Sequence, residues 1–248
     1  MTFTSAVLLA GASGVAGVVN AVAGGGTLLT FPALLAAGIA PVAANATNTV
    51  ALVPGQLASA YAYRSYLADE RRRAMVLAVP SLVGGTVGAA LLLLLPAQTF
   101  EAIVPWLILF ACVLLAAQGP IKAAVARWPH ANHPAALWIA QLFISVYGGY
   151  FGAGIGILML AAMAILIPSS LQHSNALKVL YALLINFMAA AIFIASGAAR
   201  MPEATLMAAA SIIGGFFGAK LAQRLPPLGM RLFAIGIGVY AAVRFLIR

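Results

Sequence analysis

At 248 residues, 64% of them hydrophobic and 7% charged, with a mean hydropathy of +1.08, the chain departs far from soluble-domain composition and reads as a polytopic membrane protein. The net charge of +9 does not mark a nucleic-acid partner, because Arg64, Arg71, Arg72, Arg73, Lys122 and Arg127 fall in gaps between apolar runs, where they report orientation against the anionic leaflet of a bilayer. The single cysteine, Cys112, excludes an internal disulfide and a multi-cysteine metal site and is expected to pack as a small apolar side chain.

No charge precedes Arg64, so the first apolar run lacks the basic flank of a secretory signal and is expected to be a retained span. Runs of about 18 to 25 apolar residues, enough to cross about 30 Å of hydrocarbon, lie near 5–23, 41–63, 74–95, 101–118, 135–153, 170–196, 204–223 and 230–247. They predict an all-α polytopic fold of about eight transmembrane helices. The runs 27–37 and 157–167 are too short to cross, and each begins just after a glycine cluster; both are expected to be re-entrant half-helices. If the loop 64–73 is cytoplasmic, eight spans place the N-terminus, the 119–134 segment, Arg200, Arg244 and Arg248 on the same side, with Lys220, Arg224 and Arg231 dissenting.

Sliding the chain against itself by 130 residues gives a register without gaps: Gly24 on Gly154, Gly26 on Gly156, Asn45 on Asn175, Ser81 on Ser211, Gly84, Gly85 and Gly88 on Gly214, Gly215 and Gly218, and Leu95-Pro96 on Leu225-Pro226. Gln56 meets Asn186, an amide for an amide. The chain therefore reads as two tandem four-helix repeats, 1–118 and 135–248, joined by a cytoplasmic linker 119–134 containing Pro120, Pro129 and Pro134. Four spans per copy, an even number, predict parallel copies; an odd number would invert them.

Lipid cannot satisfy free backbone N–H and C=O groups, so repeat-related backbone breaks point to one cavity. Gly24, Gly25, Gly26 and Thr27, with Gly152, Gly154 and Gly156, are expected to turn N–H groups toward a ligand. The glycines at 84–88 and 214–218 lie inside good spans and read as helix-packing positions. "GAGIG" at 152–156 is no dinucleotide site, since no strand precedes it, and the chain has no Gly-Lys-Ser/Thr phosphate loop.

Buried polar residues are the second pointer. Asn45, Asn48 and Gln56 in one copy match Asn175, Lys178 and Asn186 in the other, and at about 100° per residue the latter three share a helix face. Lys178 either faces the site or snorkels to the boundary. Asp69, Glu70 and Glu203 are in loops and Glu101 is at a span edge, so a carboxylate relay is poorly supplied and an anion site of amides, hydroxyls, N–H groups and one Lys is well supplied. His130 and His133 in the linker and His173 at a span edge have no acid beside them in the sequence, so an enzyme, a metal or a cofactor is not expected.

The stretches "GVVNAVAGGGTLLTFPALLAAGI" and "ANATNTVALVPG", with "GGYFGAGIGILMLAAMAILIP" and "HSNALKVLYALLINFMAAAIF", resemble the TauE/SafE family of sulfite and organosulfonate exporter-like proteins over nearly the whole chain. The resemblance implies a multi-pass transporter of the bacterial inner (plasma) membrane, moving sulfite, organosulfonates or related small anions. It implies substrate-binding roles for Gly24, Gly25, Gly26, Thr27, Asn45, Thr47, Asn48, Gly154, Gly156, Asn175, Lys178 and Asn186. The copies differ within this pattern: Ile155 stands opposite Gly25, and Pro32 has no proline opposite it. An anion channel or a non-transporting scaffold remains the alternative, and a homo-oligomer is left open.

Overall fold

The computed structural model describes residues 1–22, 24–125, 134–166, 170–222 and 228–247. Their regular structure is helical: α1 (Phe3–Val22), α2 (Thr27–Ala36), α3 (Pro41–Ala62), α4 (Arg64–Asp69), α5 (Arg71–Leu94), α6 (Ala97–Val125), α7 (Pro134–Tyr150), α8 (Ile155–Leu166), α9 (Leu171–Ala195), α10 (Met201–Ala222) and α11 (Leu228–Leu246). The eight long helices lie on the eight apolar runs, and α2 and α8 lie on the two short ones. Two differences stand out. The loop 64–73 contains the short helix α4, and α6 continues through Pro120 to Val125, into the segment expected to be linker. Arg127, Pro129, His130 and His133 lie outside the described residues.

Among the described residues, five helices are long and apolar enough to cross a membrane: α1, α5, α6, α9 and α10. α3 has the length without the hydropathy, because Asn45, Thr47, Asn48, Thr49, Gln56 and Ser59 are all on it and all buried. The arrangement inverts that of a soluble protein. α5 exposes Val79, Val83 and Val87 on one face and turns Ser81, Gly84, Gly85 and Gly88 inward. In lipid, where burial of apolar side chains drives little, small residues let backbones approach and packing does the rest. A Cβ on Gly85 would lie 2.8 Å from Ile185 O, and one on Gly17 would lie 2.7 Å from Gly215 N.

Helix direction follows from which residues meet. Ser13 Oγ donates to Met207 O at 2.6 Å, Gly17 lies against Ser211, and Gly218 lies against Val18, so numbering rises together along α1 and α10. It also rises together along α3 and α10, where Ser211 Oγ donates to Ala51 O at 2.8 Å and Ser59 Oγ to Gly215 O at 2.9 Å. α5 and α7 share a direction, with Gly84 against Leu142 and Ser145 and Gly88 against Val146 and Tyr150. α3 and α9 oppose each other: Asp69, at the end of the short helix α4 that follows α3, meets His173 in the first turn of α9 at 3.4 Å, whereas Thr47, near the start of α3, accepts from Arg200 N at 2.9 Å, beyond the end of α9. Tyr181 Oη donates to Arg73 O at 2.8 Å, which puts the starts of α5 and α9 on one side.

Thus α1, α3 and α10 run one way and α5, α7 and α9 the other. This corrects the parallel relation expected from an even count, because positions 130 residues apart fall on α1 and α7, α3 and α9, and α5 and α10, whose directions are opposite. The cause is α2. α1 and α3 share a direction, so the segment between them must carry the chain back. Phe31 holds α2 in place, meeting Phe100 and Phe151 edge-on at ring separations of 6.3 and 5.4 Å, contacts worth about 1 kcal/mol each beyond area burial.

Candidate functional site

α1 and α7 both end on glycines that take a backbone conformation other residues rarely adopt. Gly24, at φ 81°, donates to Val19 O at 3.0 Å, and Gly152, at φ 79°, donates to Tyr147 O at 3.2 Å. Asn20 then closes the first turn: its Oδ1 accepts from Gly26 N at 2.7 Å, six residues on, and α2 starts at Thr27. The two turns touch. A Cβ on Gly24 would lie 2.8 Å from Gly156 Cα, and one on Gly156 would lie 2.9 Å from Gly24 Cα, so neither position admits a side chain without backbone movement. The turn that leads into α2 therefore meets the N-terminal turn of α8. Such turns carry N–H groups without intrahelical partners and the positive end of the helix dipole.

Beside this crossing lies a small cavity of about 30 Å³. Its polar lining comes from Asn20 on α1, Thr27 on α2, Gln56 and Ser59 on α3, and Lys178 and Asn186 on α9. Glycines 17, 24, 55, 152 and 156 supply much of the remaining wall, with no carboxylate among the lining residues. Lys178 is 1% exposed and points inward; its Nζ donates to Ala21 O at 3.1 Å and Asn20 O at 3.4 Å, the carbonyls that end α1. The negative end of α1 thus steadies the ammonium. On the other side, Asn45 Nδ2 donates to Tyr150 O at 2.9 Å, covering the last carbonyl of α7. The cavity wall thus carries the ammonium together with the first residues of two helices, Thr27 of α2 and Ile155 and Gly156 of α8.

Of the residues singled out in the sequence as site candidates, Gly24, Thr27, Gly152, Gly156, Lys178 and Asn186 line this cavity. The others lie around it. Gly25 abuts Leu115, and Gly26 abuts Ala16 O and Asn20. Asn48 Nδ2 donates to Thr27 Oγ1 at 3.3 Å and its Oδ1 accepts from Thr30, tying α2 to α3. Thr47 Oγ1 donates to Ala43 O at 2.6 Å. Gly154, at φ 78°, faces Ala111 on α6, and Asn175 is buried with no partner for its Oδ1 among the described residues. The sequence reading did not assign Asn20, Gln56 or Ser59 to the site. For Gln56 a signal existed, the amide opposite Asn186 in the 130-residue register. For Asn20 it was an amide four residues ahead of the glycine cluster. Cys112 is buried against Gly238 and Ile235 of α11.

Apolar helices long enough to cross a bilayer, gathered around a polar cavity and two helix breaks, define a multi-pass membrane protein of transporter type. The chain belongs to the sulfite exporter TauE/SafE family, whose model matches residues 9–245. It is similar to a "Probable membrane transporter protein" of Haemophilus influenzae, 28% identical over 84% of this chain and 81% of the relative. "Probable membrane transporter protein YfcA" of Escherichia coli K12 is 28% identical over 85% of this chain and 76% of its own. "Probable membrane transporter protein ORF9" of a Sinorhizobium species is 25% identical over 94% and 88%. No solved structure matches the chain.

Proposed function

We propose that the protein is a secondary transporter of small anions such as sulfite or organosulfonates, exporting them across a bacterial plasma membrane by alternating access at the cavity between its two halves. The observation that carries this reading is the cavity itself: a buried ammonium and two helix N-termini, with no carboxylate in the lining. Desolvating an anion is expensive, and such a site replaces its water with donors fixed in place.

The halves are read as inverted repeats, each crossing the bilayer an odd number of times because α2 and α8 each return the chain to the side from which the preceding helix set out. Support comes from the helix directions and from helix bounds that recur at the same offset: α2 spans Thr27–Ala36 and α8 spans Ile155–Leu166, while α3 begins at Pro41 and α9 at Leu171. Contacts recur too. Gly85 meets Ile185 as Gly215 meets Gly55, each pair shifted by 130 with the partners exchanged. Rocking one half against the other around the Gly24–Gly156 crossing would open the cavity to either side in turn.

The test is flux in proteoliposomes with sulfite, ethanesulfonate, a small amine and a neutral polyol. Saturable uptake of the anions with counterflow supports the proposal. Non-saturating flux without counterflow points to a channel, and no flux of either anion overturns the anion assignment.

A further inference from the structure

Gln56 is 8% exposed, lines the cavity, has a buried Oε1 without a partner and makes no hydrogen bond among the described residues. Asn186, 9% exposed and also on the cavity wall, likewise makes none. The surrounding polar groups differ: Ser59 bonds Gly55 O and Gly215 O, Asn20 holds Gly26 N, and Thr27 accepts from Asn48. A buried amide with no partner is costly, and helix α3 offers many positions where an apolar residue would remove that cost. Two amides without a hydrogen bond among the described residues, one of them with its oxygen wholly buried, on facing helices beside one cavity, point to a group that is bound there.

Their placement says which group. Lys178, Ala182 and Asn186 form one stripe on α9, so Lys178 and Asn186 are separated by roughly 12 Å of helix rise. α3 runs oppositely, presenting Ser59, then Gln56, then Leu52 along the same slot. The charge therefore lies at one level and the two amides lie further along. An anionic head held by Lys178 leaves them to whatever is attached to it.

We propose that Gln56, with Asn186, selects substrate by hydrogen bonding to a second polar group, such as a hydroxyl, carried on a short chain attached to the anionic head. An amide offers both a donor and an acceptor, which matches a hydroxyl and rejects a methyl at the same position. The inference rests on the reading of the cavity as an anion site.

The matched probes are ethanesulfonate and 2-hydroxyethanesulfonate, with sulfite as the compact anion, each measured as saturable flux in proteoliposomes. The protein should prefer the hydroxylated anion by about tenfold in kcat/KM. Gln56→Met, unbranched and close in volume, should reduce that preference to threefold or less by lowering kcat/KM for the hydroxylated anion. If Gln56→Met does not insert, Asn186→Ala and Gln56→Asn should each lower the preference on their own. Equal transport of the two sulfonates by the unaltered protein, or a preference kept in these variants, overturns the inference. So does transport of sulfite alone, which leaves the anion assignment standing. Failure of all three anions overturns both.

Discussion

Lys178 meets two demands at once, capping the carbonyl end of α1 and supplying the positive charge of the cavity. Separate substitutions can pull these apart. Lys178→Gln keeps an N–H donor for Ala21 O but removes the charge, so anion flux should fall about tenfold to a hundredfold while thermal stability in detergent changes little. Lys178→Met removes both and should lose flux and stability together. Flux at the original rate in the Gln variant would reduce Lys178 to a helix cap. At the equivalent position of the other half stands Asn48, neutral and engaged with Thr27 and Thr30, so the cavity carries its charge on one side only. Lys178 and its amide companions could be picked out from the sequence because polar residues are rare in so apolar a chain. The partners of Lys178, backbone carbonyls 157 and 158 residues away, have no sequence signature.

Between helices, glycine acts as a spacer. α10 crosses α1 and α3 through Gly214, Gly215 and Gly218, and α5 crosses α7 and α9 through Gly84, Gly85 and Gly88. Gly85→Val would drive a branched side chain into the backbone of α9 at Ile185, and Gly218→Val would do the same to α1 at Val18. Overpacking of this kind costs roughly 1–3 kcal/mol or more, so both variants should lower the melting temperature in detergent. Gly236→Val, at a position with nothing within 4 Å of a Cβ, serves as the control that should not. The packing role of the glycine triplets and the helix breaks at 24–27 and 152–156 were both legible in the sequence. α4 was not, since six residues in an Arg-rich loop carry no periodic signal and their helix depends on neighbouring elements.

Topology is the property of the whole molecule that the helix directions alter. With α1 and α3 running the same way, the N-terminus and the start of α5 at Arg71 to Arg73 lie at opposite ends of the bundle. Reporter fusions at the N-terminus and after Arg73 should therefore give opposite-side signals. Same-side signals would mean that α2 does not return the chain across the membrane, and would restore the even count. Charge counting could not decide this. Relative to eight spans, the inverted arrangement brings Lys220 to the side of Arg64 and Arg73 and takes Arg200 away, so the balance of basic residues is nearly unchanged.

What the sequence by itself determined is local: where apolar runs are long enough for a helix, where glycines end them, which polar residues sit within them, and that 24–88 and 154–218 share one pattern. These follow from residue type and spacing along a single segment. Whether α2 counts as a crossing depends on where its far end lies relative to α3, and ten residues of apolar helix are compatible with a return or with a surface turn. The tertiary structure sets the helix directions that bear on it through contacts that sequence spacing does not encode: Ser13 with Met207, Ser59 with Gly215, and Thr47 with Arg200. The same holds for the cavity, because Gln56 reads as one more buried amide until the opposed run of α3 and α9 brings it beside Lys178 and Asn186.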